Sequence, residues 1–163
     1  MLRESATGLA GEGDPQTGAV GGAPRVVLHA SCVELSGTGV VLLGPPGSGK
    51  SDLALRLVDG GARLVSDDRL AVARQGDLLI GWPPGPIAGL IEVRGLGIMR
   101  MGHCASSRLG LVVALGGAQP PPRLPERMTY ELLGVALPYV ELDPRTPSAC
   151  AKIRLALTAQ RVE

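Results

Sequence analysis

Gly44-Pro45-Pro46-Gly47-Ser48-Gly49-Lys50-Ser51 is the stretch whose reading decides the fold. It satisfies the phosphate-loop pattern G-x-x-x-x-G-K-[ST] at every fixed position. Gly39-Val40-Val41-Leu42-Leu43 before it reads as a short buried strand, and Ser51 to Asp59 behind it reads as a helix. In that setting the glycines let backbone N–H groups turn inward around a polyphosphate. The helix N-terminus adds partial positive charge at the same point. Lys50 would reach the β- and γ-phosphates, and the Ser51 hydroxyl would take a Mg²⁺ position. Residues Gly44, Pro45, Pro46, Gly47, Ser48, Gly49, Lys50 and Ser51 are therefore the expected nucleotide-binding set.

The composition sets limits around that loop. The chain has 163 residues, 45% of them apolar, with no Phe, one Trp and two Tyr. That suits one domain whose core is filled by Leu, Val, Ile and Ala. A net charge of +1, with no dense Lys/Arg run, argues against a nucleic-acid partner, as does the lack of aromatics for base stacking. Cys32, Cys104 and Cys150 are too far apart for a metal knuckle and read as three reduced, mostly buried thiols. Residues 1–24 carry charge, Gly and Pro without a hydrophobic period and are expected to be a flexible leader rather than a signal peptide. The longest apolar run, Leu109 to Leu115, falls far short of the ~20 residues that span a bilayer. A soluble, cytoplasmic protein without membrane contact is expected.

From Arg25 onward the pattern is strand-rich. Val26–His29 and Cys32–Leu35 read as strands, with Ser36-Gly37-Thr38-Gly39 turning into the phosphate-loop strand. The helix places Leu53, Ala54 and Leu57 on one face, and Gly60-Gly61 ends it. Arg63–Ser66 is the next strand. Leu70–Ala73 and Asp77–Gly81 form a hairpin, Pro83–Pro86 breaks the chain, and Ile87–Glu92 is expected as one helical turn. Leu109–Leu115 is a buried strand, followed by a Pro-rich loop. Tyr130–Leu133 and Tyr139–Leu142 are short strands, and Ser148–Arg161 closes the chain as a helix with Ile153, Ala156 and Leu157 inward. Two helices among many strands favour α/β or α+β over a doubly wound sheet.

Three further features bear on chemistry. Asp67-Asp68 follow the strand Arg63–Ser66; alone, such a pair is equally a Mg²⁺ ligand or a solvated turn. A helix crosses over between that strand and the loop strand, so the two run parallel and end at one sheet edge. That edge is where a base for an attacking hydroxyl must stand. Ile91-Glu92-Val93-Arg94-Gly95-Leu96-Gly97-Ile98 implies a tight backbone path, although Glu92 and Arg94 taken alone read as a surface pair. His29, taken alone on an apolar strand, reads as a satisfied core histidine.

Together, His29, Gly44–Ser51, Leu64-Val65-Ser66-Asp67-Asp68 and Glu92-Val93-Arg94-Gly95-Leu96-Gly97-Ile98 resemble the catalytic domain of bacterial HPr kinase/phosphorylase. The resemblance covers residues 25 to about 160 and implies a P-loop core similar to phosphoenolpyruvate carboxykinase over 25–163. It implies an ATP- and Mg²⁺-dependent serine kinase acting on HPr, the small phosphocarrier of the phosphotransferase system. Full-length members assemble as hexamers. By resemblance, Asp68 accepts the proton of the substrate serine, His29 assists it, and Lys50 holds the phosphates. Ser51 and Glu92 bind Mg²⁺, and Arg127 matches a later catalytic arginine.

The departures from the family pattern are specific. The sequence is expected to be a short form without the family's N-terminal domain and with a shortened C-terminal helix. His29-Ala30 replaces the family's His-Gly, and Met101–Ser107 lacks its Phe-Gly element. The later basic segment is reduced to Leu142–Pro147, with Arg145 as its remnant. Kinase activity is thus expected more than phosphorylase activity. The alternative reading is a module that senses ATP without transferring phosphate.

Overall fold

The computed structural model describes residues 23–117, 119–159 and 162. The expected leader lies outside these, apart from Ala23 and Pro24. The Pro24 carbonyl accepts the Arg74 N–H at 3.2 Å, so Pro24 is already tied to the fold ahead of Arg25. In chain order the elements are β1 (Arg25–Leu28), β2 (Ser31–Leu35), β3 (Thr38–Leu43), α1 (Lys50–Asp59), β4 (Arg63–Ser66), β5 (Leu70–Gln75) and β6 (Leu78–Trp82). A 3₁₀ turn at Gly85–Ile87 precedes β7 (Leu90–Val93), β8 (Gly97–Arg100), β9 (Ser107–Leu115), β10 (Met128–Leu132), β11 (Val135–Leu142) and α2 (Ala149–Thr158).

Nine strands form one mixed sheet, seven of them in the order β1-β5-β6-β9-β3-β2-β4 with β11 and β10 branching off, and β7-β8 make a separate ribbon. β9 is the trunk. Its first residues pair antiparallel with β6, its length pairs parallel with β3, and Val112–Leu115 pair parallel with β11, which carries β10. A strand enclosed in this way must be apolar on both faces, which explains the near-continuous run Leu109–Leu115. Alternation along β2 and β3 divides the core. Val33, Val40 and Leu42 face the helices, where they meet Leu53, Leu57 and Ile153. Cys32 and Val41 face the other way, into a cluster with Leu70, Val72, Leu79, Leu137 and Tyr139, closed by the curled sheet itself. This is the expected mixed α/β architecture.

A helix of ten residues is marginal on its own. α1 is held by burying Leu53, Ala54 and Leu57, each leucine contributing ~1.5–3 kcal/mol. It ends at Gly60, and Gly61 at φ 108° turns the chain back toward β4 in the left-handed region open to glycine.

Several expectations need correction. Ile87–Glu92 is no helical turn: its second half is β7, because Leu90–Val93 pair with β8. The turn into β3 is Ser36-Gly37 alone, both at positive φ, which matches the twist of a two-residue hairpin. Thr38 and Gly39 already belong to β3. α2 ends at Thr158, and Ala156, expected inward, is exposed; Gln160 and Arg161 lie outside the described residues. All three cysteines are free, with Cys32 and Cys104 buried and Cys150 half-buried. Among the described residues, no helix is long and apolar enough to cross a membrane.

Candidate active site

The phosphate loop spans from the end of β3 to the first turn of α1. Its shape depends on residues without side chains. Gly47 and Gly49 stand at φ 78° and 97°, and a Cβ on Gly44 would lie 2.5 Å from Ser48 Oγ and 2.9 Å from the Leu115 carbonyl. Gly49 is the N-cap of α1, and no side chain caps the helix, so its first N–H groups remain directed into the loop. Lys50 is buried and donates from Nζ to the carbonyls of Gly44 at 2.6 Å and Pro45 at 3.1 Å. Burial lowers the Lys50 pKa, while the charges of Asp68 and Asp67 pull it back up. Ser48 Oγ is buried without a hydrogen-bond partner among the described residues. An orphaned hydroxyl beside an uncapped helix N-terminus and a lysine suits a polyphosphate.

The acid pair stands at the same edge. β4 pairs antiparallel with β2, and β2 antiparallel with β3. β4 therefore runs in the direction of β3, as expected, but with β2 inserted between them. The two aspartates face different ways. Asp67 is buried and accepts three hydrogen bonds: Ser31 Oγ at 2.8 Å and Ser51 Oγ at 2.7 Å on Oδ1, and the Glu92 N–H at 3.1 Å on Oδ2. It thereby ties β2, α1 and β7 to the end of β4. Asp68 adopts a left-handed backbone at φ 68°, a conformation that Asp tolerates better than most residues. This turns its carboxylate outward, with 66% of the side chain exposed, to within 2.6 Å of His29 Nε2. His29 is 46% exposed and sits at the bend after β1. The core-histidine reading is thus overturned.

The other expected residues are distributed less tightly. Glu92 touches the cluster through its backbone N–H, and its side chain is exposed. Gly95 and Gly97 have φ 89° and 99°, and a Cβ on either would meet nothing within 4 Å. They serve the β7–β8 turn, where no other described residue packs against them. Arg127 directly precedes β10, whose Met128 stands opposite Tyr139 of β11. That places it three strand positions along the sheet from β3. Arg145 is paired with Asp143 at 3.1 Å, which holds the Asp143 carboxyl below its usual range.

The donor set suits a hard divalent cation. Mg²⁺ takes oxygen ligands and uses one or two carboxylates together with phosphate oxygens and water. Ser51 Oγ and the Asp67 carboxylate, 2.7 Å apart, offer that combination beside the loop. No cluster of three or more His, Cys, Asp or Glu occurs among the described residues. An ion here would have to complete its shell with phosphate. The sequence reading passed over Asp67 as the organising carboxylate and Ser31 as its buried partner. A serine opening β2 just ahead of the buried Cys32 and Val33 was the one available signal.

Comparison with known proteins bears on the family and the fold. HPr kinase/phosphorylase of Limosilactobacillus reuteri (strain DSM 20016) is 38% identical over 136 residues, covering 76% of this chain and 42% of the relative. HPr kinase/phosphorylase 1 of Oceanobacillus iheyensis is 35% identical over 141 residues, covering 81% and 44%. The chain thus spans less than half the length of these relatives. The solved structure of the Hpr(Ser) kinase/phosphatase from Coxiella burnetii matches with a TM-score of 0.68 at 25% identity, over 79% of this chain and 85% of that one. The family described as HPr Serine kinase C-terminal domain matches residues 22–153, and the chain belongs to that family.

Proposed function

We propose that this chain is an ATP- and Mg²⁺-dependent kinase that phosphorylates a serine of an HPr-type phosphocarrier protein. One observation carries the reading: Asp68 and His29 form an exposed 2.6 Å pair at the sheet edge where the phosphate loop ends. A buried pair would serve the fold. An exposed carboxylate next to a phosphate site serves a hydroxyl brought from outside.

Asp68 accepts the proton of the incoming serine hydroxyl. The serine oxygen bonds to the γ-phosphorus as the bond to the β,γ-bridging oxygen breaks, and ADP leaves. His29 orients the Asp68 carboxylate through the hydrogen bond. Lys50 and the N–H groups opening α1 neutralise the phosphate charge, which is most of what phosphoryl transfer asks of a protein. Ser51 and Asp67, with Glu92 at the same edge, would hold Mg²⁺, which adds charge neutralisation at the β- and γ-phosphates. Arg127 is proposed as a later contact of the transferring group.

Incubating the purified protein with ATP, Mg²⁺ and HPr, then mapping phosphate by mass spectrometry, tests the reading. Phosphoserine on HPr is expected. Asp68→Asn should slow transfer by ~10²–10⁴-fold with ATP binding retained, the usual range for losing a general base. Lys50→Ala should weaken both. ATP binding without any phosphoserine would leave the chain a nucleotide sensor and refute the kinase reading.

A further inference from the structure

Beside the phosphate loop lies a cavity of about 490 Å³ that the proposed transfer does not use. Gly47 and Ser48 of the loop form one wall, Gly116 and Gly117 after β9 a second, and Leu142 and Pro144 at the end of β11 a third. We infer that this cavity holds the base and ribose of the nucleoside triphosphate, so that the substrate lies across the sheet edge from β11 to β4. The inference rests on the phosphate-loop part of the kinase reading.

The order of strands supplies the direction. Along the edge, the ends of β11, β9, β3, β2 and β4 follow one another. The phosphate loop leaves β3, the acids leave β4, and the cavity opens at the ends of β9 and β11. A linear triphosphate on the loop has two ends. The 2.7 Å contact of Ser51 with Asp67 places the reactive end toward β4. The nucleoside end then points the opposite way, past Gly47 and Ser48, into the cavity.

The walls suit that occupant. The volume lies within the range of small-molecule pockets. Pro144 and Leu142 offer apolar surface to a ring. Glu141 accepts the Tyr139 hydroxyl at 3.2 Å on Oε1, leaving Oε2 for a ribose hydroxyl. Two carboxylates at the rim, Glu141 and the Arg145-bound Asp143, disfavour a second anionic ligand but accept from neutral hydroxyl and amino donors. The position of the walls is set by the loop itself. Arg56 of α1 donates to the Pro144 carbonyl, and a Cβ on Gly49 would lie 3.4 Å from Pro144 Cγ. A Cβ on Gly116 would lie 3.4 Å from Ser48 Cβ, so a side chain there would crowd the loop.

Photolabelling the whole chain with magnesium 2-azido-ATP, followed by tryptic mapping, tests the assignment. Most of the label is expected in peptides 109–123 and 128–145, which carry the two non-loop walls. Magnesium tripolyphosphate, which has the phosphates but no nucleoside, should suppress that labelling by about tenfold at saturation, by simple competition. Label concentrated in peptides 64–69 or 95–100, on the acid side, overturns the inference while leaving the phosphate loop in place. Labelling that tripolyphosphate fails to displace refutes the phosphate-loop assignment and the inference with it. Neither outcome depends on HPr or on turnover.

Discussion

Replacing Asp67 separates the structural from the chemical demands on the site. Its carboxylate accepts from Ser31 Oγ, Ser51 Oγ and the Glu92 N–H. In Asp67→Ala all three lose their acceptor. Ser51 is half-exposed and can turn to water, but Ser31 is fully buried and the Glu92 N–H is fixed by β7. At ~1–3 kcal/mol for each buried donor left unpaired, these two predict a loss of about 4 kcal/mol. In Asp67→Asn the amide oxygen can take the Glu92 N–H, and the amide nitrogen can donate to the hydroxyls. The charge assistance and the acceptor of the buried Ser31 hydroxyl proton are lost, together roughly 1–2 kcal/mol. Urea unfolding followed through the single tryptophan, Trp82, reads the difference. With a slope of about 2 kcal/mol per molar urea, the Ala midpoint should lie about 1–1.5 M below the Asn midpoint. Phosphotransfer should be lost in both, because neither presents an anionic oxygen to Mg²⁺. Midpoints within about 0.3 M of each other would refute the three-donor account of Asp67. An Asn variant that transfers phosphate at the native rate would remove Asp67 from the proposed metal set.

Three further outcomes follow from the same geometry. Gly44→Ala forces a Cβ to within 2.5 Å of Ser48 Oγ and 2.9 Å of the Leu115 carbonyl, so thermal unfolding should show ~1–3 kcal/mol of overpacking. Titration with a fluorescent ATP analogue should also show weaker binding, and native behaviour in both assays would contradict the loop geometry. Leu42→Ala empties a fully buried position on the helix side of the sheet and should cost ~2–5 kcal/mol in chemical denaturation, without changing the loop's residues. Burial first, then Glu141, pushes the Tyr139 hydroxyl up to about 12, and burial also raises Tyr130. A raised folded pKa means that the associated stability is complete below the unfolded value of ~10 and is lost as pH climbs from there toward 12. Phenolate absorbance of the native protein should therefore rise well above pH 10, whereas the unfolded chain titrates near it; coincident curves would refute the burial of this pair.

What the sequence disclosed depended on whether the cause was local. The phosphate loop was legible because its glycines, Lys50 and the start of α1 act within eight consecutive residues. The pairing of His29 with Asp68 spans 39 positions. It depends on β2 lying beside β4, with Cys32 opposite Ser66, and no periodicity reports such a register. Only the family resemblance brought the two residues together. Ile87–Glu92 misled for the same reason: a short apolar run fits a helix or a strand equally, and pairing with β8 decides it. Gly95 and Gly97 were legible as a tight backbone path, and the β7–β8 turn accounts for it. Ala156 was placed inward by helical period, but α2 buries only Ala149 and Ile153 fully, so its covered stripe is narrower than the period implies.

The insertion of β2 also bears on the proposed double role of this edge, as phosphate site and as proton acceptor. Were β4 hydrogen-bonded directly to β3, its acids would stand one strand spacing, ~5 Å, from the loop strand. With β2 between, the separation is about 10 Å, enough for phosphate to lie between Lys50 and the base. The two aspartates then divide that gap. Asp67 reaches back to Ser51 at 2.7 Å, while the left-handed backbone of Asp68 carries its carboxylate outward to His29. Ser31, at the start of the inserted strand, donates to Asp67 and accepts the Asp68 N–H at 3.3 Å, so a single buried hydroxyl sets both orientations. The strand that separates the loop from the acids thus also aims them. A change in the β2–β4 register would move the proton acceptor without altering any residue of the phosphate loop.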